Sequence, residues 1–133
     1  MTEMLFTSDV IEVDDAIQAI ELYAERGWTD GLPIVPPTEP LVARFVETLN
    51  TAPDTVLGVE PTKGAVITAE KAAINAVMAG CRPEYMPVLA AAIDAITAPE
   101  FGLHGISVST MGAAVLLIVN GPIAGELGMN SGV

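Results

Sequence analysis

Residues 68–88 read TAEKAAINAVMAGCRPEYMPV, and the parsing of this stretch sets the rest of the chain. Thr68 offers a hydroxyl to cap a helix, Glu70 suits the positive helix start, and Gly80 ends a run of Ala, Ile, Val and Met. Beyond it, Pro83 and Pro87 each provide a first helical position for a second helix from about Glu84 to Thr97. The stretch therefore predicts a helix, a corner and another helix. The single cysteine, Cys81, stands at that corner beside Arg82.

Working toward the N-terminus, residues 39–50 predict an amphipathic helix with Leu41, Phe45 and Leu49 on its buried side. Residues 9–26 predict another, with Ile17, Ile20 and Ala24 on one face and Gly27 as its stop. Between them GWTDGLPIVPPTEP is too rich in Gly and Pro for regular structure. TVLGVEPTKGAVIT predicts one or two short strands around a Pro-Thr-Lys-Gly turn. Toward the C-terminus, HGISVS and AVLLIV predict strands, the second apolar enough to be buried on both faces. The expected fold is α+β or α/β: helices packed on a small mixed sheet with a buried central strand. It forms one domain over 1–133 or a portion of a larger one.

Composition narrows the function classes. The chain has 133 residues, 51% of them hydrophobic and only 17% charged. The usual charged share is about a quarter. So apolar a surface calls for a partner subunit, as a homo-oligomer, or for a second polypeptide segment. The net charge of −12 lies mostly in residues 1–60, which hold twelve acids and two bases. Such a chain repels phosphate backbones and shows no basic patch, so nucleic acid is not an expected partner. The N-terminus lacks the basic-then-apolar pattern of a signal peptide, and the apolar run 113–119 is far too short to cross a bilayer. A cytoplasmic protein without membrane contact is the expectation. No Cys/His cluster suggests zinc, no ligand spacing supports a hard-cation site at His104 with Asp30, Glu84 or Asn120, and the cofactor is unknown, since the C-terminal glycines form neither G-x-G-x-x-G nor a P-loop.

The candidates for chemistry gather in a few places. Cys81 lies next to Arg82 and ahead of a helix start, features that favour the reactive thiolate; a small buried hydrophobe at a helix corner explains the same letters. Lys71, Asn75, Met78 and Arg82 recur at helical spacing, as a stripe lining an anion pocket or as a solvated face. Trp28 and Asp30 supply an aromatic wall and a turn carboxylate, or a core plug and an ordinary turn. His104, the sole histidine, is a candidate base that needs a partner, and Glu84 is the alternative proton carrier. Asn120 follows the apolar run, where Gly121, Gly125, Gly128 and Gly132 permit close approach of a ligand.

Three blocks together, GWTDGLPIVPPTE, TAEKAAINAVMAGCRPEYMPV and FGLHGISVST…LLIVNGPI…ELGMNSG, resemble the N-terminal region of bacterial UGSC-type (seleno)proteins. The likeness covers residues 27–132. That family is named for a Sec/Cys-Gly-Ser-Cys motif, which in its longer members lies beyond the matched region. No such motif occurs in this chain, so the implied redox chemistry attaches to no residue here. What carries over by position is membership of the shared blocks, for Trp28, Asp30, Lys71, Asn75, Cys81, Arg82, Glu84, His104, Asn120 and Asn130. The resemblance implies the N-terminal portion of a longer or split protein.

Two functions follow as expectations. One is a small-molecule enzyme domain using thiol-dependent redox or addition–elimination chemistry around Cys81. There His104 or Glu84 moves protons, while Lys71, Asn75, Arg82, Trp28, Asp30 and Asn120 bind an anionic substrate. The other is a non-catalytic subunit or oligomerisation domain with a structural cysteine.

Overall fold

The computed structural model describes residues 5–130. Its centre is the helix the sequence places most firmly, α3 (Ala69–Met78), whose N-cap Thr68 accepts a hydrogen bond from the Lys71 amide at 3.3 Å. Five small or branched apolar residues of α3 are buried: Ala69, Ala72, Ala73, Ala76 and Val77. Their short side chains let neighbouring elements approach closely. α2 (Glu39–Glu47) packs there through Val42, Phe45 and Val46. The buried side is thus turned slightly from the expected one, with Leu41 and Leu49 only partly buried at its edges. α2 also stops three residues early, because Asn50 takes a left-handed backbone (φ 50°).

After α3 the chain turns through Pro83–Tyr85, a single 3-10 turn, into α4 (Met86–Thr97). Both prolines act as helix openers: Pro83 in the 3-10 turn and Pro87 in the first turn of α4. Met86, the first residue of α4, is fully buried in the core formed with α2 and α3.

The two strands around the Pro-Thr-Lys-Gly turn form as β1 (Val56–Val59) and β2 (Val66–Thr68). They pair antiparallel, with Val59 opposite Val66 and a bulge between Val56 and Gly58. The Glu60 carboxylate accepts the Thr62 and Lys63 amides and fastens the turn. The Lys63 amide is the largest influence on Glu60, and together with the Thr62 bonds and the His104 charge it lowers the carboxyl below its ordinary pKa. The described sheet is therefore two-stranded and antiparallel, and the fold is α+β rather than α/β with a mixed sheet.

Three expectations for the outer elements are corrected. α1 covers Ala16–Glu25 rather than starting near residue 9, because Asp15 caps it by accepting the Gln18 amide at 2.9 Å. It buries Ala19, while Ile17 stays exposed. The segment HGISVS is not a strand: Gly102, left-handed at φ 67°, opens the five-residue helix α5 (Leu103–Ser107). With no strand alongside to pair with, local helical bonds such as Ile106 to Gly102 satisfy this backbone instead. Residues 112–120, read as containing a buried central strand, form an extended ribbon outside any sheet, and Leu116 and Ile118 are about four-fifths exposed. Neither the expected strand nor its burial is found there. α6 (Pro122–Glu126) follows. Gly132 lies outside the described residues.

Three helices end in one way. At Gly27, Gly80 and Gly128 the backbone is left-handed, and the next residue's amide bonds back into the helix: Trp28 to Tyr23, Cys81 to Ala76 and Met129 to Ala124. These are Schellman ends, with glycine relieving the steric penalty of positive φ. No single helix among the described residues is long and apolar enough to cross a membrane.

Candidate functional site

The N-terminal segment lies across α3 as a strap, and its fastening is Glu70. This side chain is only 1% exposed. Its carboxylate accepts the Thr7 amide at 3.0 Å, the Thr7 hydroxyl at 2.8 Å, the Ser8 amide at 2.8 Å and the Ser8 hydroxyl. Burial by itself would raise the Glu70 pKa. The hydrogen bonds from Ser8 and Thr7 outweigh it and bring the carboxyl from 4.5 to about 2. Lys71 Nζ donates to Ser8 Oγ at 2.8 Å and completes the clasp.

Between this strap, α1, α2 and α3 runs a cleft of about 650 Å³. That is within the size range of small-ligand sites. Trp28, Lys71, Asn75 and Met78 line it, so the helical spacing read from the sequence does place the last three on one wall. Arg26 joins them, its guanidinium carbon 4.9 Å from the Trp28 ring centroid. Tyr23 meets the same indole edge-on at 5.2 Å. An aromatic plane, a guanidinium and an ammonium thus share one cavity with the carboxylates of Asp9, Glu39 and Glu70. Asn75 donates its side-chain amide to the Lys71 carbonyl at 2.9 Å.

Arg82 departs from the stripe. α3 ends before it and Gly80 redirects the chain, so helical spacing no longer applies; Arg82 is exposed and lines neither cleft described here. Cys81 belongs to a second groove of about 750 Å³, with Tyr85, Leu89, Leu117, Ile118 and Met129. It is partly buried, packs against the core, and its amide closes the carbonyl end of α3. Cys81 thus sits between the carbonyl end of α3 and the 3-10 turn through which Pro83 leads into α4.

His104 and Glu84 line neither cleft. His104 sits on α5, where its charge is felt by Glu60, and Glu84 is exposed in the 3-10 turn. Asp30 accepts the Leu32 amide at 3.0 Å in an exposed turn, and Asn120 is exposed at the end of the ribbon. The structure thus brings Trp28, Lys71 and Asn75 together and sets Cys81 apart from them, while Arg82, Glu84, His104, Asp30 and Asn120 join neither group. Among the described residues, no three of His, Cys, Asp and Glu are grouped as metal ligands.

Sequence reasoning missed Arg26 and Glu70. Arg26 carries a usable signal, a cation two residues before the only tryptophan at a helix end. Glu70 carries little, since its partners lie 62 and 63 residues away. No protein-family model, curated protein or solved structure matches this chain.

Proposed function

We propose that the chain is the substrate-holding portion of a small-molecule enzyme, and that the cleft between the strap and α1–α3 takes a small organic anion such as a carboxylate. The single observation behind this is the convergence of Trp28, Arg26, Lys71 and Asn75 on one cavity of suitable size. In that role the indole covers the organic part, while the guanidinium and ammonium meet the charged end. A cytoplasmic setting belongs to the same proposal.

Trp28 is the only tryptophan, so its fluorescence reports directly on the cleft. Titration with simple mono- and dicarboxylates should change that emission saturably. Lys71→Met should weaken the response about tenfold or more, the usual effect of losing a charge-assisted hydrogen bond. An emission that ignores carboxylates in the native chain sinks the reading.

Thiol-dependent redox or addition–elimination chemistry is a second reading, at the separate groove. It is favoured by the incomplete burial of Cys81 on a wall shared with Tyr85. Cys81 should then react with iodoacetamide faster than a buried thiol at neutral pH, and a Cys81→Ser chain should melt almost unchanged yet lack activity in the assembled enzyme. A thiol that labels only on unfolding excludes this second reading.

A further inference from the structure

The ribbon 112–120 has two properties that do not belong on a finished surface. Among the described residues, its backbone makes no hydrogen bond, although it is extended and ready to pair. Its side chains are apolar on both faces: Leu116 and Ile118 are 80% and 78% exposed on one, Val115 and Leu117 48% and 54% on the other. A strand apolar on both sides is normally an interior strand. An unpaired one is a template for another strand.

The total surface gives the scale of what is uncovered. The chain exposes 9226 Å² at 13.8 kDa. A folded monomer of this mass exposes about 6,600 Å², which leaves roughly 2,600 Å² in excess. The excess belongs to the chain as a whole, and the exposed Val115, Leu116, Leu117 and Ile118 are part of it.

Charge identifies the occupant. The chain carries −12, yet residues 105–125 contain no charged side chain, and no other run is uncharged for so long. A two-fold interface sets the same patch of both copies together, so acids within it would face acids. A different partner for so acidic a chain would be expected to offer basic residues to acidic ones, and here the patch has none to receive them. We propose that the ribbon is the interface with a second copy of this chain, formed by antiparallel pairing of the two ribbons about a two-fold axis. The pairing satisfies the open backbone edge. It also covers the groove in which Cys81 faces Leu117 and Ile118. The ribbon interface is independent of the anion cleft, which lies between other elements.

Analytical ultracentrifugation of the full chain tests it, with circular dichroism as the control for folding. The native chain should sediment at twice 13.8 kDa across a dilution series. Leu116→Glu should sediment as a monomer of unchanged helicity, since this side chain has little packing to lose. Ile17→Glu, which adds the same charge at an exposed site on α1, should remain dimeric. Ile118→Lys, a second charge placed on the ribbon, should likewise sediment as a monomer. A native monomer, an assembly larger than two, a complex that forms only with a different polypeptide, or a dimer that survives Leu116→Glu each overturns the proposal.

Discussion

Glu70→Ala is expected to lower the stability of the chain by about 3 kcal/mol, close to 10 °C in melting temperature for a domain of this size. The substitution removes the acceptor for two amides and two hydroxyls of Thr7 and Ser8, and with it the clasp that holds the strap to α3. The pH dependence gives a sharper signature. The carboxyl pKa is near 2 when folded against 4.5 ordinarily, so the unfolded chain binds the proton more readily. The stabilisation is therefore complete above about pH 4.5, declines as pH falls toward 2, and is gone below it, amounting to about 3 kcal/mol in all. Glu70→Gln keeps the shape but presents an amide group to donors, and should abolish this part of the acid dependence. Thermal melts from pH 7 to pH 2 check both statements. Parallel curves for the native chain and the Glu70→Gln variant would show that the clasp contributes nothing.

The second large effect is expected at Gly58, in β1 beside the bulge. A Cβ built there falls 2.5 Å from Thr97 Oγ1 and 3.0 Å from both Thr97 Cγ2 and Ile93 Cγ2. The threonine is poorly placed to retreat, because its hydroxyl donates to the Ile93 carbonyl at 2.8 Å and the residue is 9% exposed. Gly58→Ala should therefore push β1 off α4 and cost about 2–3 kcal/mol, as overpacking commonly does. Thr97→Ala removes two of the three clashing atoms, so the alanine substitution at position 58 should be distinctly less harmful on that background. A denaturant double-mutant cycle measures this coupling. Additive losses would mean that the contact of β1 with α4 is looser than the distances indicate.

These two positions also mark where the sequence is readable and where it is not. The limits of α3 follow from Thr68 and Gly80 because caps act within one turn of backbone, and the same locality reveals both proline starts after Cys81. The wall formed by Lys71, Asn75 and Met78 is likewise a matter of helical spacing. Glu70 could be recognised only as an acid suited to a helix start, since its real partners arrive from the far end of the chain. Glycine at 58 reads as a weak strand residue until α4 is seen pressing on it. The run 113–119 shows a third kind of limit. Its composition specifies an extended, doubly apolar segment, but whether such a segment is covered depends on neighbours that its own letters do not encode.

The glycine endings of α1, α3 and α6 set Trp28, Cys81 and Met129 in place through main-chain bonds. An indole, a thiol and a thioether are thus presented from the same turn geometry in three different surroundings. The turns themselves are held by main-chain bonds and not by the side chains they present.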